Sequence, residues 1–137
     1  MTRTNFENLR VYTLSEELAD LVWGIASGWD VFSRETIGKQ IVRSADSIGA
    51  NIAEGTGRYG RQDNKRFGYF ARGSLYETKH WLRRAYKRKL LSEAEVEKLR
   101  PLIDELSPKL NAYISSIQPA ARRLTSRATN NEPRTTN

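Results

Sequence analysis

The sequence predicts an all-α protein, an up-down-up-down antiparallel four-helix bundle. Apolar residues recur at three- and four-residue spacing in four successive segments, which is the pattern of amphipathic helices. The connections between the segments are short, and no segment shows the alternating pattern of a β-strand. Four such helices bury their apolar faces most economically against one another, so a bundle is the expected architecture.

The composition of this 137-residue chain indicates one domain with a basic surface. We expect the bundle to span residues 1–118 and a basic, flexible C-terminal tail to span residues 119–137. The absence of cysteine excludes disulfides, thiolate metal sites and thiol catalysis. No apolar signal segment and no run of ~20 apolar residues is present, so we expect a cytoplasmic location away from membranes. The net charge of +7 and the pI near 9.9 favour an anionic partner, nucleic acid before membrane.

The first helix is predicted from a line of apolar residues that begins at Val11 and ends at Trp29. A second line lies on a neighbouring face, at spacings of seven, four and three residues: Tyr12, Ala19, Trp23 and Ala26. This second line has two interpretations. It either widens the core stripe or forms a subunit interface, because a Trp and a Tyr beyond the main stripe exceed what a monomer needs to cover.

The second helix is predicted to begin after Ser33, a candidate N-cap with Thr36 three residues on, and to end at Gly55 and Gly57. Its apolar face carries the following residues: Ile37, Ile41, Ala45, Ile48 and Ile52. Four polar residues lie close to that face: Ser44, Ser47, Asn51 and Glu54. We interpret them as a structural hydrogen-bond network between helices rather than a ligand site.

The glycine-rich residues 55–60 superficially resemble a phosphate-binding loop. They lack the Lys-Ser/Thr of a P-loop and follow a helix where a nucleotide fold would place a strand. A helix C-cap followed by an interhelical loop is therefore favoured. The backbone amides of this turn, beside Arg58 and Arg61, are still able to contribute to holding a nucleic-acid phosphate.

The third helix is the most basic part of the chain. Residues 58–89 hold 11 Lys and Arg against two acids, a local net charge of +9, in a helix about 45 Å long. One side is predicted to face the core: Phe67, Phe70, Ala71, Ser74, Thr78, Trp81, Leu82 and Ala85. The opposite side carries five cations: Lys65, Arg72, Lys79, Arg83 and Lys87.

This excess of positive charge is the main functional signal in the sequence. A helix that only faces solvent is better stabilised by mixed charges four residues apart. Basic residues interleaved with aromatic ones are typical of nucleic-acid-binding surfaces. We therefore predict a nucleic-acid-binding face, for RNA or DNA, composed of Arg58, Arg61, Lys65, Arg72, Lys79, Arg83, Lys87, Tyr69, Tyr76 and His80.

The fourth helix is predicted to start at a capping box formed by Ser92 and Glu95. Its apolar seam follows a four-three repeat: Leu99, Ile103, Leu106, Leu110, Tyr113 and Ile117. Pro101 and Pro108 predict a kinked helix with a break at Pro108. The tail after Pro119 is either a disordered terminus or a basic arm that orders on contact with nucleic acid.

The residues offer no constellation for catalysis. His80 is the only histidine, which excludes a multi-histidine metal site. The carboxylates Glu16, Glu17 and Asp20 lie on the outside of the first helix, where a solvated face explains them better than acid–base chemistry. We expect a binding protein without enzymatic activity, cofactor or metal, and hold a hydrolase or nuclease as the weakest alternative.

Several segments of the sequence resemble a known family. The most specific is the run IVRSADSIGANIAEG at residues 41–55, and residues 6–9 match the usual start of the family. Further matching residues are Val11, Tyr12, Gly57, Arg58, Phe67, Phe70, Ala71, Gly73, Ser74, Leu75 and Glu77. Over residues 6 to 117 the chain is similar to the 23S ribosomal RNA intervening-sequence proteins, and through them to the accessory variability determinant proteins of diversity-generating retroelements.

The resemblance implies a homopentameric barrel of four-helix bundles that binds nucleic acid and a reverse transcriptase. The tail lies outside the matching region and cannot be interpreted through it. The alternative function is an intervening-sequence-encoded bundle that acts as a protein-interaction module, with the basic face docking an acidic or mixed surface of a larger enzyme. Both readings predict a protein that binds, and they are compatible in one complex.

Overall fold

A computed structural model describes Phe6 and residues 9–117, and this part of the chain contains four helices and no strand. Helix α1 is Arg10–Ser27, α3 is Arg61–Lys87 and α4 is Glu93–Ser116. Helix α2 has three consecutive parts: Val31–Ser33, a π-helical turn Arg34–Gly38, and Lys39–Thr56. The predicted C-terminal tail lies outside the described residues.

Neighbouring helices in the chain are antiparallel. Ser44 of α2 meets Thr78 of α3, while Gly55 further along α2 lies beside Asn64 at the start of α3. The same opposed numbering relates α1 to α2, α3 to α4, and α4 back to α1. The four helices therefore form a closed four-helix bundle, as the sequence predicted.

The core of the bundle receives side chains from all four helices. Its largest fully buried apolar residues are Leu14, Leu18, Ile41, Ile48, Ile52, Leu75, Leu106 and Leu110. All of these except Leu75 belong to the lines predicted for α1, α2 and α4. Burial of this apolar area is the main favourable contribution to the stability of the fold.

The start of α2 differs from the prediction. Its N-cap is Asp30, whose carboxylate accepts a hydrogen bond from the backbone N–H of Ser33 at 3.2 Å. Hydrogen bonding from Ser33, first from its side chain and then from its backbone N–H, lowers the pKa of Asp30. Ser33 is not the cap and lies inside the helix. A carboxylate suits this position because it satisfies an exposed N–H and also lies at the positive end of the helix dipole.

The buried face of α3 is rotated from the predicted one. Buried residues follow an uninterrupted three-four repeat: Gly68, Ala71, Leu75, Thr78, Leu82 and Ala85. The prediction that Phe70 faces the core is wrong, since Phe70 is 48% exposed. Phe67, Ser74 and Trp81 are half-buried, and Trp81 packs against the core as predicted. Because α3 packs against both α2 and α4, its small residues occupy the close approaches and its large aromatics lie at the edge.

The structure confirms the predicted start of α4 and contradicts its predicted break. The capping box is confirmed: Ser92 Oγ accepts from the Glu95 N–H at 3.1 Å, and Glu95 Oε1 accepts from the Ser92 N–H at 2.9 Å. The predicted break at Pro108 is wrong, because the helix continues unbroken to Ser116. Both prolines are exposed, so the carbonyls that lose their N–H partners can be hydrated.

Candidate nucleic-acid interface

The basic surface of α3 is held in place by its buried stripe. Gly68 permits a close approach to α4, since a Cβ there would lie 2.9 Å from Ile114 Cγ1. On the α2 side, Thr78 Oγ1 lies within hydrogen-bond distance of Ser44 Oγ, at 3.0 Å, and of the Ser74 carbonyl oxygen, at 2.8 Å. Apolar packing on one side and this buried hydroxyl pair on the other fix the rotation of α3.

All ten predicted contact residues are solvent-accessible. Lys65, Arg72 and Lys79 are half-buried. The others are exposed: Arg58, Arg61, Tyr69, Tyr76, His80, Arg83 and Lys87. Nine of them lie on α3, whereas Arg58 follows the C-cap of α2 and precedes α3.

We define the basic face of α3 as Lys65, Arg72, Lys79, Arg83 and Lys87. Among the described residues, Lys65, Lys79, Arg83 and Lys87 form no ion pair, and Arg72 donates to the neutral side-chain amide of Asn111 at 3.3 Å. Within the described residues, the positive charge of this face is therefore not neutralised by carboxylates.

The two acids of α3 are engaged by arginines outside the basic face. Asp63 pairs with Arg66 at 3.1 Å. Glu77 accepts from Arg43 of α2 and from Trp81 Nε1, the latter at 3.2 Å. The Arg43–Glu77 contact ties α3 to α2, while the other two contacts lie within α3, and neither acid pairs with a residue of the basic face.

Cations lie over three of the four exposed Phe and Tyr rings of α3. The Arg72 guanidinium is 4.9 Å from the centroid of the Tyr69 ring, and Lys79 Nζ is 5.4 Å from that of Tyr76. Arg66 lies 6.0 Å from the Phe70 ring. Such arrangements are favourable cation–π contacts. Phe70 and Arg66 were not among the predicted surface residues. The helical period alone had placed Phe70 on the core side.

The predicted hydrogen-bond network between helices is found at only one of the four polar residues of α2, Ser44, whereas Ser47, Asn51 and Glu54 bond within α2 or just beyond its end. Ser44 is fully buried and bonds with Thr78 across the helix pair. Ser47 Oγ donates to the Arg43 carbonyl, and Asn51 Nδ2 donates to the Ser47 carbonyl, both within α2. Glu54 pairs with Arg58 at 3.1 Å, which places Arg58 against the end of α2.

The four residues in the second line of α1 differ in their exposure to solvent. Ala19 and Ala26 belong to the core of the single chain, so they are not available for contact with another copy. Tyr12 is half-buried and packs edge-on against Phe6 at 4.9 Å between ring centroids. Trp23 alone of the four is largely exposed, at 62%. The interpretation as a wide core stripe thus holds for the alanines, and a surface role is confined to Trp23.

The family is decided by a match over most of the chain. The model of the 23S rRNA-intervening sequence protein family matches residues 7–112. The chain belongs to this family. The matched region contains α1, α2, α3 and most of α4, and with them the entire basic face.

A crystal structure from Bacteroides thetaiotaomicron is similar to this intervening-sequence protein. It is a protein of unknown function from the S23 ribosomal protein family, 26% identical, with a TM-score of 0.70. The match covers 77% of this chain and 96% of that chain. No curated protein matches the sequence.

Two features are absent from the described residues: a membrane-spanning helix and a group of metal ligands. None of the helices within residues 9–117 combines the length and the apolar character needed to cross a membrane. The same part of the chain has no group of three His, Cys, Asp or Glu residues arranged to hold a metal ion.

Proposed function

We propose that this intervening-sequence protein is a non-enzymatic scaffold that binds nucleic acid through the basic face of α3. The observation that carries the proposal is the unneutralised charge of that face. Lys65, Lys79, Arg83 and Lys87 form no ion pair within the described residues, while the acids of the same helix are held by Arg43 and Arg66. Phosphate contacts of this kind give affinity with little sequence preference.

The proposal is tested by charge reversal with a matched control. The variant carries Arg72→Glu, Lys79→Glu and Arg83→Glu on the basic face. The control carries Lys39→Glu, Lys98→Glu and Lys109→Glu on α2 and α4, so that both proteins lose the same net charge. Binding of a fluorescent structured RNA to nuclease-treated protein is measured by anisotropy over a series of salt concentrations.

We expect the wild-type affinity to fall steeply with salt, because each phosphate contact releases counterions. The loss of three contacts should reduce the slope of log K against log salt by about 2 to 3. The control should keep the wild-type slope. Binding that is insensitive to salt, or equal in the two triple variants, would refute the proposal.

The resemblance to accessory variability determinant proteins extends this proposal. In that reading five copies assemble into a homopentamer that also engages a reverse transcriptase of a diversity-generating retroelement. Repetition of the basic face would raise a modest affinity per subunit through multivalency. Size-exclusion chromatography with light scattering, with and without RNA at two salt concentrations, measures the mass. A monomer under all these conditions would refute the extension and leave the binding proposal in place.

A second candidate function is a protein-interaction module. An open groove of about 380 Å³ lies between the end of α3 and the start of α4, with apolar residues such as Leu82, Val96 and Ile103 in its lining and Arg83 and Arg100 beside them. Apolar surface flanked by arginine is typical of interface centres. A protein partner that is retained by tagged protein after nuclease treatment, and lost in an Ile103→Asp variant, would favour this function.

A further inference from the structure

The starting observation is an unexplained glycine on the exposed side of α3. Gly73 lies in the interior of the helix, and an added Cβ there would meet no atom within 4 Å. No glycine among the described residues has a positive φ, so the backbone conformation does not require glycine either. Glycine in a helix interior is less favourable than alanine by its extra conformational entropy. Neither packing nor backbone geometry of the single chain accounts for Gly73.

Gly68, in the same helix, is a glycine that packing between helices does require. A Cβ at Gly68 would lie 2.9 Å from Ile114 Cγ1, so its absence is needed for α3 and α4 to approach. The two glycines are five residues apart in one helix, one buried and one exposed. Gly73 has no packing role of this kind among the described residues.

Three exposed aromatic residues are the helical neighbours of Gly73. Tyr69 and Phe70 precede it by four and three residues, and Tyr76 follows it by three, spacings that place side chains next to one another on a helix surface. Their exposed fractions are 45%, 48% and 56%, respectively. We call this position, a residue without a side chain flanked by three rings, the depression at Gly73.

Each of the three rings is paired with a cation. Arg72 lies over Tyr69, Lys79 over Tyr76 and Arg66 over Phe70. The acid nearest along the helix, Glu77, is occupied by Arg43 and Trp81. The surroundings of the depression are therefore both aromatic and positively charged.

We infer that the depression at Gly73 takes an unpaired nucleobase of a single-stranded nucleic acid. The base stacks against the aromatic rings over the bare backbone, and the phosphates on either side of it are held by Arg66, Arg72 and Lys79. This inference rests on the proposed function and names its substrate class. A duplex keeps its base faces stacked inside, so only a single strand can offer one to the rings. The charge complementarity and the flat aromatic surfaces together favour a nucleic acid over an acidic protein segment.

The test fills the depression without changing any charge. Gly73→Leu places an apolar side chain among the rings, and Gly24→Leu is the matched control, because Gly24 is also an exposed interior helix glycine with no atom within 4 Å of an added Cβ. Both variants should keep or raise Tm, since leucine favours helix. Binding is measured for a labelled 12-nucleotide RNA, for its duplex with the complementary strand, and for a labelled polyglutamate peptide.

We expect Gly73→Leu and Gly24→Leu to differ in their effect on RNA binding. Gly73→Leu should weaken binding of the single strand by about 5- to 150-fold, the range for loss of one stacked base, and change duplex binding less than twofold. Gly24→Leu should change neither. Tyr76→Ala should reproduce the loss, and Tyr76→Phe, which retains the ring, should not.

Each other outcome contradicts the inference in a distinguishable way. Equal losses for single strand and duplex, or no loss for either, would overturn base stacking while leaving charge-driven binding intact. A polyglutamate peptide that binds as tightly and is as sensitive to Gly73→Leu would assign the depression to an acidic protein segment. Failure of the wild type to bind either RNA would overturn both this inference and the proposed function.

Discussion

The close approach of α3 to α4 at Gly68 gives the sharpest prediction about stability. Alanine at an exposed interior helix position stabilises by about 1 kcal/mol relative to glycine. At Gly68 the new methyl would lie 2.9 Å from Ile114 Cγ1, an atom next to the branch point of a buried side chain, so the helices must separate slightly. Overpacking of this kind costs about 1–3 kcal/mol. We expect Gly68→Ala to be neutral to about 2 kcal/mol destabilising, whereas Gly24→Ala should stabilise.

The free energies of unfolding are measured by urea denaturation, and a double-mutant cycle identifies the clash. Ile114→Ala alone should cost about 2–5 kcal/mol through the cavity it leaves. In the double variant the nearest remaining atom is the Cβ of residue 114, 3.9 Å away at ordinary contact distance. The double variant should therefore be more stable than the sum of the single effects by about 1–3 kcal/mol. If Gly68→Ala stabilises as much as Gly24→Ala, or the coupling is zero, the described approach of the two helices is wrong.

Two further predictions concern the ends and the surface of the helices. Ser92→Ala removes the acceptor for the Glu95 N–H and should lower the free energy of unfolding by about 1 kcal/mol in urea denaturation, while Ser92→Asp should retain most of it. The pKa of Asp46 is raised by partial burial and by the nearby Asp20 carboxylate, so ionised Asp46 destabilises the folded state above that pKa. Asp46→Asn should therefore raise Tm at pH 7, and the gain should disappear as the pH falls below the unfolded value of 3.8. A gain of equal size at pH 3 and pH 7 would contradict the electrostatic cause.

Much of the fold follows from apolar periodicity because three of the helices bury one continuous stripe. The lines through Leu14, Ile48 and Leu106 were predicted and are buried. Periodicity failed on α3, where Phe70 was placed in the core. A helix that contacts two neighbours closely needs small residues at the contacts, and hydrophobicity alone ranks phenylalanine above glycine for burial.

The basic charge of the candidate site was predictable from the sequence, but the contacts of its side chains were not. The excess of Lys and Arg in residues 58–89 is visible in the sequence, and the predicted contact residues are accessible in the structure. The pairing of Glu77 with Arg43 is not predictable, because it joins residues 34 apart in the chain. Likewise, the sequence alone does not distinguish Gly68 from Gly73. Only the distance from an added Cβ to Ile114 Cγ1 shows that packing requires glycine at position 68.

Several surface residues of α3 lower its stability as an isolated helix. Lys79, Arg83 and Lys87 are spaced four apart, and each like-charged pair at that spacing costs a helix about 0.2–0.5 kcal/mol. Gly73 adds about 1 kcal/mol more. These costs are offset by packing against α2 and α4, where Ala71, Leu75 and other buried residues hold the helix regardless of its own preference. Alanine at Gly73 and glutamate at Arg83 would remove the costs without touching the core, so the stability of the single chain does not account for these two residues.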